Sequence, residues 1–243
     1  MEGDTKKIKA TIEMLRGTDI IGCITGSCLL DADMDCWETK PDIDVFVYNT
    51  ESLVYTVSEL VWRLGFEPGK GSPETRKQEK WKLDRLRQGR INKKAPVNTH
   101  SLEFDGAVVN VTYKKGMTNM LQVLGSFDMD LVMHGYDIEL GKQMDFVPAD
   151  TKVAHINPYR RVRHDLWDTA QWLRQWNRVI KYWNRGYDTR PVAHAYLGMI
   201  DDTLATANVF KSENAVAAYE KFAKEFEETK TKIQAWISEH EED

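Results

Sequence analysis

The chain has 243 residues, of which 42% are hydrophobic and 29% charged, and its formal net charge is −5. This is the composition of an ordinary globular protein, with room for one large domain or two modest ones. It argues against generic coating of nucleic acid, and no apolar run approaches the roughly 20 residues needed to cross a bilayer.

The N-terminal stretch is polar and does not read as a signal peptide. Three cysteines (Cys23, Cys28, Cys36) are bunched in one segment without the paired spacing of a zinc site. Reduced thiols in a cytoplasmic protein are the expectation. Charge is unevenly spread: residues 70–94 carry ten basic and three acidic side chains, and residues 201–243 carry five basic and eleven acidic. Part of the surface is therefore suited to an anionic ligand.

In chain order, Ile8, Ile12 and Leu15 give helical spacing over 4–16, with Gly17 as the stop. A buried strand is expected over 20–24, then a short helix from Ser27 to about Asp33. A strand follows over 43–48, and a helix over 51–64 with Thr50 and Ser52 available as caps. The basic stretch 70–94 reads as a charged helix around 74–86 or as a loop. Asp105-Gly106 between 100–104 and 107–113 is the preferred pair for a two-residue type I′ hairpin turn. A helix is expected over 117–124, and strands over 127–133 and 144–147. Beyond Pro148, helical spacing covers 159–187, 191–207 and 213–239. The fold class is therefore α+β: a mixed-sheet N-terminal domain (1–150) followed by an all-helical C-terminal domain (151–243).

The chemistry is carried by Gly26-Ser27 and by Asp42-Ile43-Asp44, which opens the apolar run Val45-Phe46-Val47-Tyr48. On a strand, residues i and i+2 share a face, so Asp42 and Asp44 aim two carboxylates the same way while Ile43 packs behind. Hard cations take such oxygen ligands, and a divalent metal (Mg2+ or Mn2+) can bridge them to a triphosphate. Gly26 and Ser27 offer a bare backbone, an N–H and a hydroxyl to the phosphates. The plain alternative is a solvated strand entrance beside an ordinary turn.

This layout resembles the DNA polymerase beta-like nucleotidyltransferase superfamily, in which a Gly-Ser follows the first strand and an Asp-x-Asp opens the next. The match rests on Gly26, Ser27, Asp42 and Asp44, with Ile24 and Val45 in the flanking apolar places. Its spacing is slightly long, through an insertion rich in Asp31, Asp33, Asp35 and Glu38. The overall pattern is similar to uncharacterised phage-encoded members. The resemblance implies transfer of a nucleoside monophosphate from a nucleoside triphosphate to a hydroxyl acceptor, an RNA or another molecule. It implies no membrane partner and leaves the oligomeric state open.

The superfamily's third carboxylate is where the sequence departs. The matching strand position, Val109-Asn110-Val111, holds an asparagine. The Asp105-Gly106 hairpin places Glu103 on the same face as Asn110, one step along the partner strand, as a candidate replacement. Two readings stay open: Glu103 completes the metal site, or the protein is a degenerate member that binds nucleotide or RNA without turning it over. Arg178, Lys181 and Arg185 fall on one helix face with Arg174, and are candidates for neutralising triphosphate or acceptor charge. Trp172, Trp176, Val179 and Trp183 form a separate stripe suited to core packing. Asp31, Asp33 and Asp35 mimic the start of a calcium loop but lack its glycine and its closing glutamate. Asp128 and Asp130 are spaced to share a strand face.

Overall fold

The computed structural model describes residues 2–30, 34–69, 72–92, 95–158, 169–207 and 213–241. The chain divides into two compact units: Met1–Phe127 with Val132–Asp150, and Asp128–Leu131 with Thr151–Asp243. Among the described residues no helix is long and apolar enough to cross a membrane.

The first unit is a mixed α/β fold. Its helices are α1 (Glu2–Arg16), α2 (Thr50–Ser58), α3 (Pro73–Arg87) and α4 (Met120–Leu124). Its strands are β1 (Gly22–Thr25), β2 (Ile43–Val47), β3 (Glu67–Pro68), β4 (Val97–Phe104), β5 (Ala107–Lys114), β6 (His134–Asp137) and β7 (Lys142–Asp145). They form a seven-stranded sheet in the order β3-β4-β5-β2-β1-β6-β7. The β2–β5 pair is parallel and every other pair antiparallel.

The β4–β5 hairpin is built by its turn. Asp105 and Gly106 take φ of 47° and 85°, the doubly left-handed geometry of a type I′ turn. That turn sets Phe104 opposite Ala107, Glu103 opposite Val108 and Ser101 opposite Asn110, the pairing expected from Asp-Gly.

Strand alternation divides the sheet into two faces. Ile43, Val45 and Val47 of β2 and Val109 and Val111 of β5 are fully or almost fully buried. They share one core with Ile8, Ile12 and Leu15 of α1 and Leu53, Val57 and Leu60 of α2. Asp44 and Asn110, between those positions, belong to the other face. Over β1 that face is covered by α4, whose Met120, Val123 and Leu124 cluster with Cys23. Gly135 of β6 permits the approach, because a Cβ there would lie 2.6 Å from Met120 Sδ.

Several expectations are corrected. The 127–133 segment is not a strand: residues 130–132 form a 3-10 turn, and the strand begins at His134. The acids that suggested alternation bond to backbone instead. Asp128 Oδ1 accepts from the adjacent Met129 N (3.2 Å), a local bond that competes with a ladder, and Asp130 Oδ1 accepts from His155 N (2.8 Å), 25 residues along the chain. Helix α2 is capped by Asn49, whose side chain accepts from Ser52 N at 2.7 Å, rather than by Thr50 or Ser52. It ends in a π turn over Glu59–Arg63 before Gly65. Helix α4 starts three residues later than its apolar spacing suggests, at the Asn119 cap. The short helix expected from Ser27 is a 3-10 turn, Ser27–Leu29. Asp31 and Asp33 of the calcium-loop mimic lie outside the described residues.

The second unit carries α5 (Thr169–Trp183), α6 (Arg190–Ala207) and α7 (Glu213–His240); α6 and α7 follow the periodicity, whereas of the stretch expected over 159–187, residues 159–168 lie outside the described residues and 184–186 form a turn. Trp176 and Val179 are buried, and the Trp176 and Trp183 rings meet Trp236 edge-on at 5.4 and 5.1 Å between centroids. The aromatic stripe of α5 is therefore packing, although the Trp172 side chain lies outside the described residues. Asp128–Leu131 joins this unit through Met129, which bridges Ile156, and Asn157 N, which donates to Asp128 O at 2.9 Å.

Candidate active site

The site is assembled where β1 ends and β2 begins. Thr25, the last residue of β1, lies opposite Asp44 of β2, so the chain leaving β1 turns directly beside that carboxylate. Gly26 makes the turn with φ 89° and ψ −161°, a region open essentially to glycine alone. Its N–H donates to His134 O at 3.2 Å, and its own carbonyl accepts from Leu29 N at 3.1 Å. A Cβ at Gly26 would sit 3.5 Å from Asp44 Oδ2. Gly26 and Asp44 therefore border the same small volume, and Ser27, the next residue, is buried.

The carboxylates are held by the neighbouring parallel strand. Asn110 of β5 lies opposite Asp44. Its Nδ2 donates to Asp44 Oδ1 at 3.1 Å and to Asp42 Oδ2 at 3.2 Å. One amide thus bridges both acids and fixes their separation. Asp44 is half-buried and Asp42 exposed, so the pair keeps access to solvent. A cavity of about 310 Å³ lies beside Asp42, bordered also by Thr39, Lys40 and Val108.

The loop that delivers Asp42 has an organiser that the sequence did not announce. Lys40 Nζ donates to the carbonyls of Met34 (2.6 Å), Asp35 (3.2 Å) and Trp37 (3.3 Å). An ammonium closing the end of the Met34–Cys36 turn meets the negative end of its peptide dipoles. The one sequence cue was a single lysine in an otherwise acidic loop.

Glu103 occupies the expected face, in line with Ser101 and Asn110, but β5 separates its strand from β2. Two strand spacings put its backbone about 10 Å from that of β2. Its cross-strand neighbours are Val108 and, on β3, Glu67. The structure thus joins Gly26, Asp42, Asp44 and Asn110, and leaves Glu103 one strand beyond Asn110. Among the described residues no three His, Cys, Asp or Glu side chains gather to hold a metal. The donor set still fits a hard cation. Two carboxylates with an open glycine beside them suit Mg2+ or Mn2+, which keeps waters and shares its shell with phosphates.

Arg178, Lys181 and Arg185 belong to the helical unit. Arg178 Nη2 lies 3.1 Å from Oδ1 of Asp128, a carboxylate that is almost wholly buried. Arg185 is buried too, its guanidinium carbon 5.6 Å from the Tyr182 ring centroid. Lys181 is exposed, with Nζ 5.7 Å from the same ring.

Two thiols lie near the site. Burial raises the Cys28 thiol far above its ordinary range, with the Asp44 charge adding to the effect. Burial likewise pushes Cys23 up to about 12. Neither can serve as a thiolate nucleophile near neutral pH.

No protein-family model matches this sequence, and no curated protein matches it.

Proposed function

We propose that this protein is a metal-dependent nucleotidyltransferase of the DNA polymerase beta-like kind. On this reading the acceptor's hydroxyl oxygen attacks the α-phosphorus of a nucleoside triphosphate, and pyrophosphate leaves. The observation that carries the reading is the convergence of Gly26 with the Asp42–Asp44 pair across β1 and β2. The mixed sheet, with α1 and α2 against the opposite face, supports it.

Asp42 and Asp44 would hold Mg2+, which when bound supplies the positive charge that orients the triphosphate and stabilises charge at the transferred phosphorus. Asn110 positions both carboxylates through its amide. Gly26 leaves room for a phosphate to approach the backbone, and Ser27 offers its hydroxyl. Transfer of this kind depends on positioning and electrostatics and needs no covalent nucleophile. Buried, protonated Cys23 and Cys28 are consistent with that.

One observation favours a second reading, a nucleotide- or RNA-binding protein without turnover. Asn110 supplies an uncharged amide where the family pattern has an acid, and its hydrogen bonds already satisfy one oxygen of each carboxylate. Incubation with each α-labelled triphosphate, Mg2+ and candidate acceptors separates the two. Label transfer that is lost in Asp44→Ala supports the enzyme. Tight triphosphate binding with no transfer to any acceptor, unchanged in Asp44→Ala, supports the binding protein.

A further inference from the structure

A second site lies at the far edge of the same sheet. Strand β4 is covered on its outer side by β3 only at Leu102 and Glu103. Among the described residues, its first half has no strand on that outer side. Along that free edge, between β4 and the end of α3, is a cleft of about 480 Å³. Trp81, Lys82, Arg85 and Arg90 line it from the helix side, and Asn98 and His100 from the strand side.

The lining has the two chemistries that a nucleotide unit requires. The first is a largely exposed aromatic surface. Trp81 is 58% exposed, an uncommon state for so large an apolar ring. Arg85, one helical turn on, places its guanidinium carbon over the Trp81 ring, 4.7 Å from the centroid, so a planar cation already stacks on this aromatic. The second is net positive charge. Among the described residues, the cleft is bordered by Lys82, Arg85 and Arg90 and by no acidic side chain. Lys82 is paired with the buried Glu79 behind it. Arg85 and Arg90 are exposed.

The floor is polar. His100 is buried, and its Nδ1 has no hydrogen-bond partner among the described residues. A buried polar atom without a partner is costly unless something supplies one. Burial lowers the His100 pKa, so the ring is held neutral and keeps a lone pair as well as a donor.

We propose that this cleft binds a nucleoside phosphate unit, with the base stacked on Trp81 and the phosphate between Arg85 and Arg90. The source is either a free nucleotide or one unit of a single-stranded RNA. The proposal is independent of the nucleotidyltransferase reading. His100 and Ser101 point to opposite faces of β4, and it is Ser101 that pairs with Asn110. The cleft is therefore separate from the Asp42–Asp44 pair.

The test is fluorescence anisotropy of a fluorescein-labelled single-stranded RNA titrated with the full-length protein, with unlabelled AMP and ATP as competitors. Trp81→Ala and Arg85→Glu should each weaken RNA binding about tenfold, the scale of losing one base stack or one phosphate contact. Both side chains are exposed, and circular dichroism melting verifies that the variants fold. Trp81→Phe should retain most of the affinity. Competition by AMP at the RNA site identifies the mononucleotide as a sufficient ligand, whereas RNA binding without AMP competition identifies the strand. Wild-type protein that binds none of these probes, or RNA affinity indifferent to both Trp81→Ala and Arg85→Glu, overturns the proposal. RNA affinity that falls in Asp44→Ala as much as in Arg85→Glu overturns it too, by placing the strand at the carboxylates.

Discussion

Asn110 and Asp44 face one another across the parallel β2–β5 pair, with the amide nitrogen 3.1 Å from Oδ1 of the carboxylate. The same nitrogen lies 3.2 Å from Asp42 Oδ2. Asn110 therefore does for two anions what a small cation would do, but with partial charge only. Replacing it by aspartate sets three carboxylates together. In metal-free buffer Asn110→Asp should lower stability by about 1–2 kcal/mol, through two lost charge-assisted hydrogen bonds and added repulsion. Millimolar Mg2+ should raise its melting temperature by more than that of the wild type. Differential scanning fluorimetry with and without EDTA checks both halves, and a variant indifferent to Mg2+ argues against a metal at this place.

Gly26 should tolerate alanine poorly for a backbone reason. The space is adequate, since the added Cβ would be 3.5 Å from Asp44 Oδ2, an ordinary contact. Its φ of 89° with ψ of −161° is not available to alanine without strain. Gly26→Ala should cost about 1–3 kcal/mol in urea denaturation. It should also abolish any transferase activity, because relaxing the strain moves the turn away from Asp44. Full activity in a destabilised Gly26→Ala protein would remove Gly26 from the site.

Arg178 can be separated from nucleotide binding by comparing it with its partner. Its guanidinium meets the buried Asp128 carboxylate at 3.1 Å, while the arginine side chain itself is 40% exposed. Arg178→Ala strands a buried charge. Allowing for solvent screening at the exposed end, the loss should be about 1–3 kcal/mol. Asp128→Asn should cost less, because it removes the charge along with the pair. If Arg178→Ala instead leaves the unfolding midpoint unchanged and weakens triphosphate binding, the residue serves the ligand.

His100 gives a pH signature. Burial depresses its pKa below the ordinary 6.5, with nearby Glu79 opposing that shift and Lys82 reinforcing it. A histidine held neutral in the fold contributes stability above pH 6.5, and that contribution is lost as the pH falls through the lowered value. Melting temperature should thus decline on acidification from about pH 6.5. His100→Gln should flatten that part of the profile while leaving the arm above pH 7 parallel to wild type. An identical acid limb in His100→Gln would assign the loss to other groups.

Much of the sheet unit was legible because local chemistry and long-range pairing agreed. Asp105-Gly106 admits few turn geometries, and the turn alone dictated that Ser101 meets Asn110. The apolar alternation after Asp44 dictated which face the carboxylates take. Alternation misleads where side chains bond to backbone. Asp128 and Asp130 imitate a strand while accepting from the adjacent Met129 N and the distant His155 N, and β6 begins only at His134. The Asn49 cap is masked in the sequence by two hydroxyl residues, Thr50 and Ser52, that closely follow it. Lys40 could not be recognised, since its three carbonyl partners are defined only once the loop has closed. Glu103 was placed on the correct face, but a hairpin diagonal gives its distance to Asn110 and not to β2, one strand further away.

The short segment Asp128–Leu131 has a consequence for synthesis and dissection of the chain. Its partners, His155, Ile156 and Asn157, leave the ribosome after the whole sheet has emerged. Met129 and Leu131, both fully buried in the finished protein, must wait as exposed apolar side chains until then. A chain truncated at Asp150 would keep them in that state permanently, as an adhesive loop on an otherwise complete sheet. The two units are joined by a stitch that passes through the cloth three times, and neither half can be cut away without leaving a loose thread.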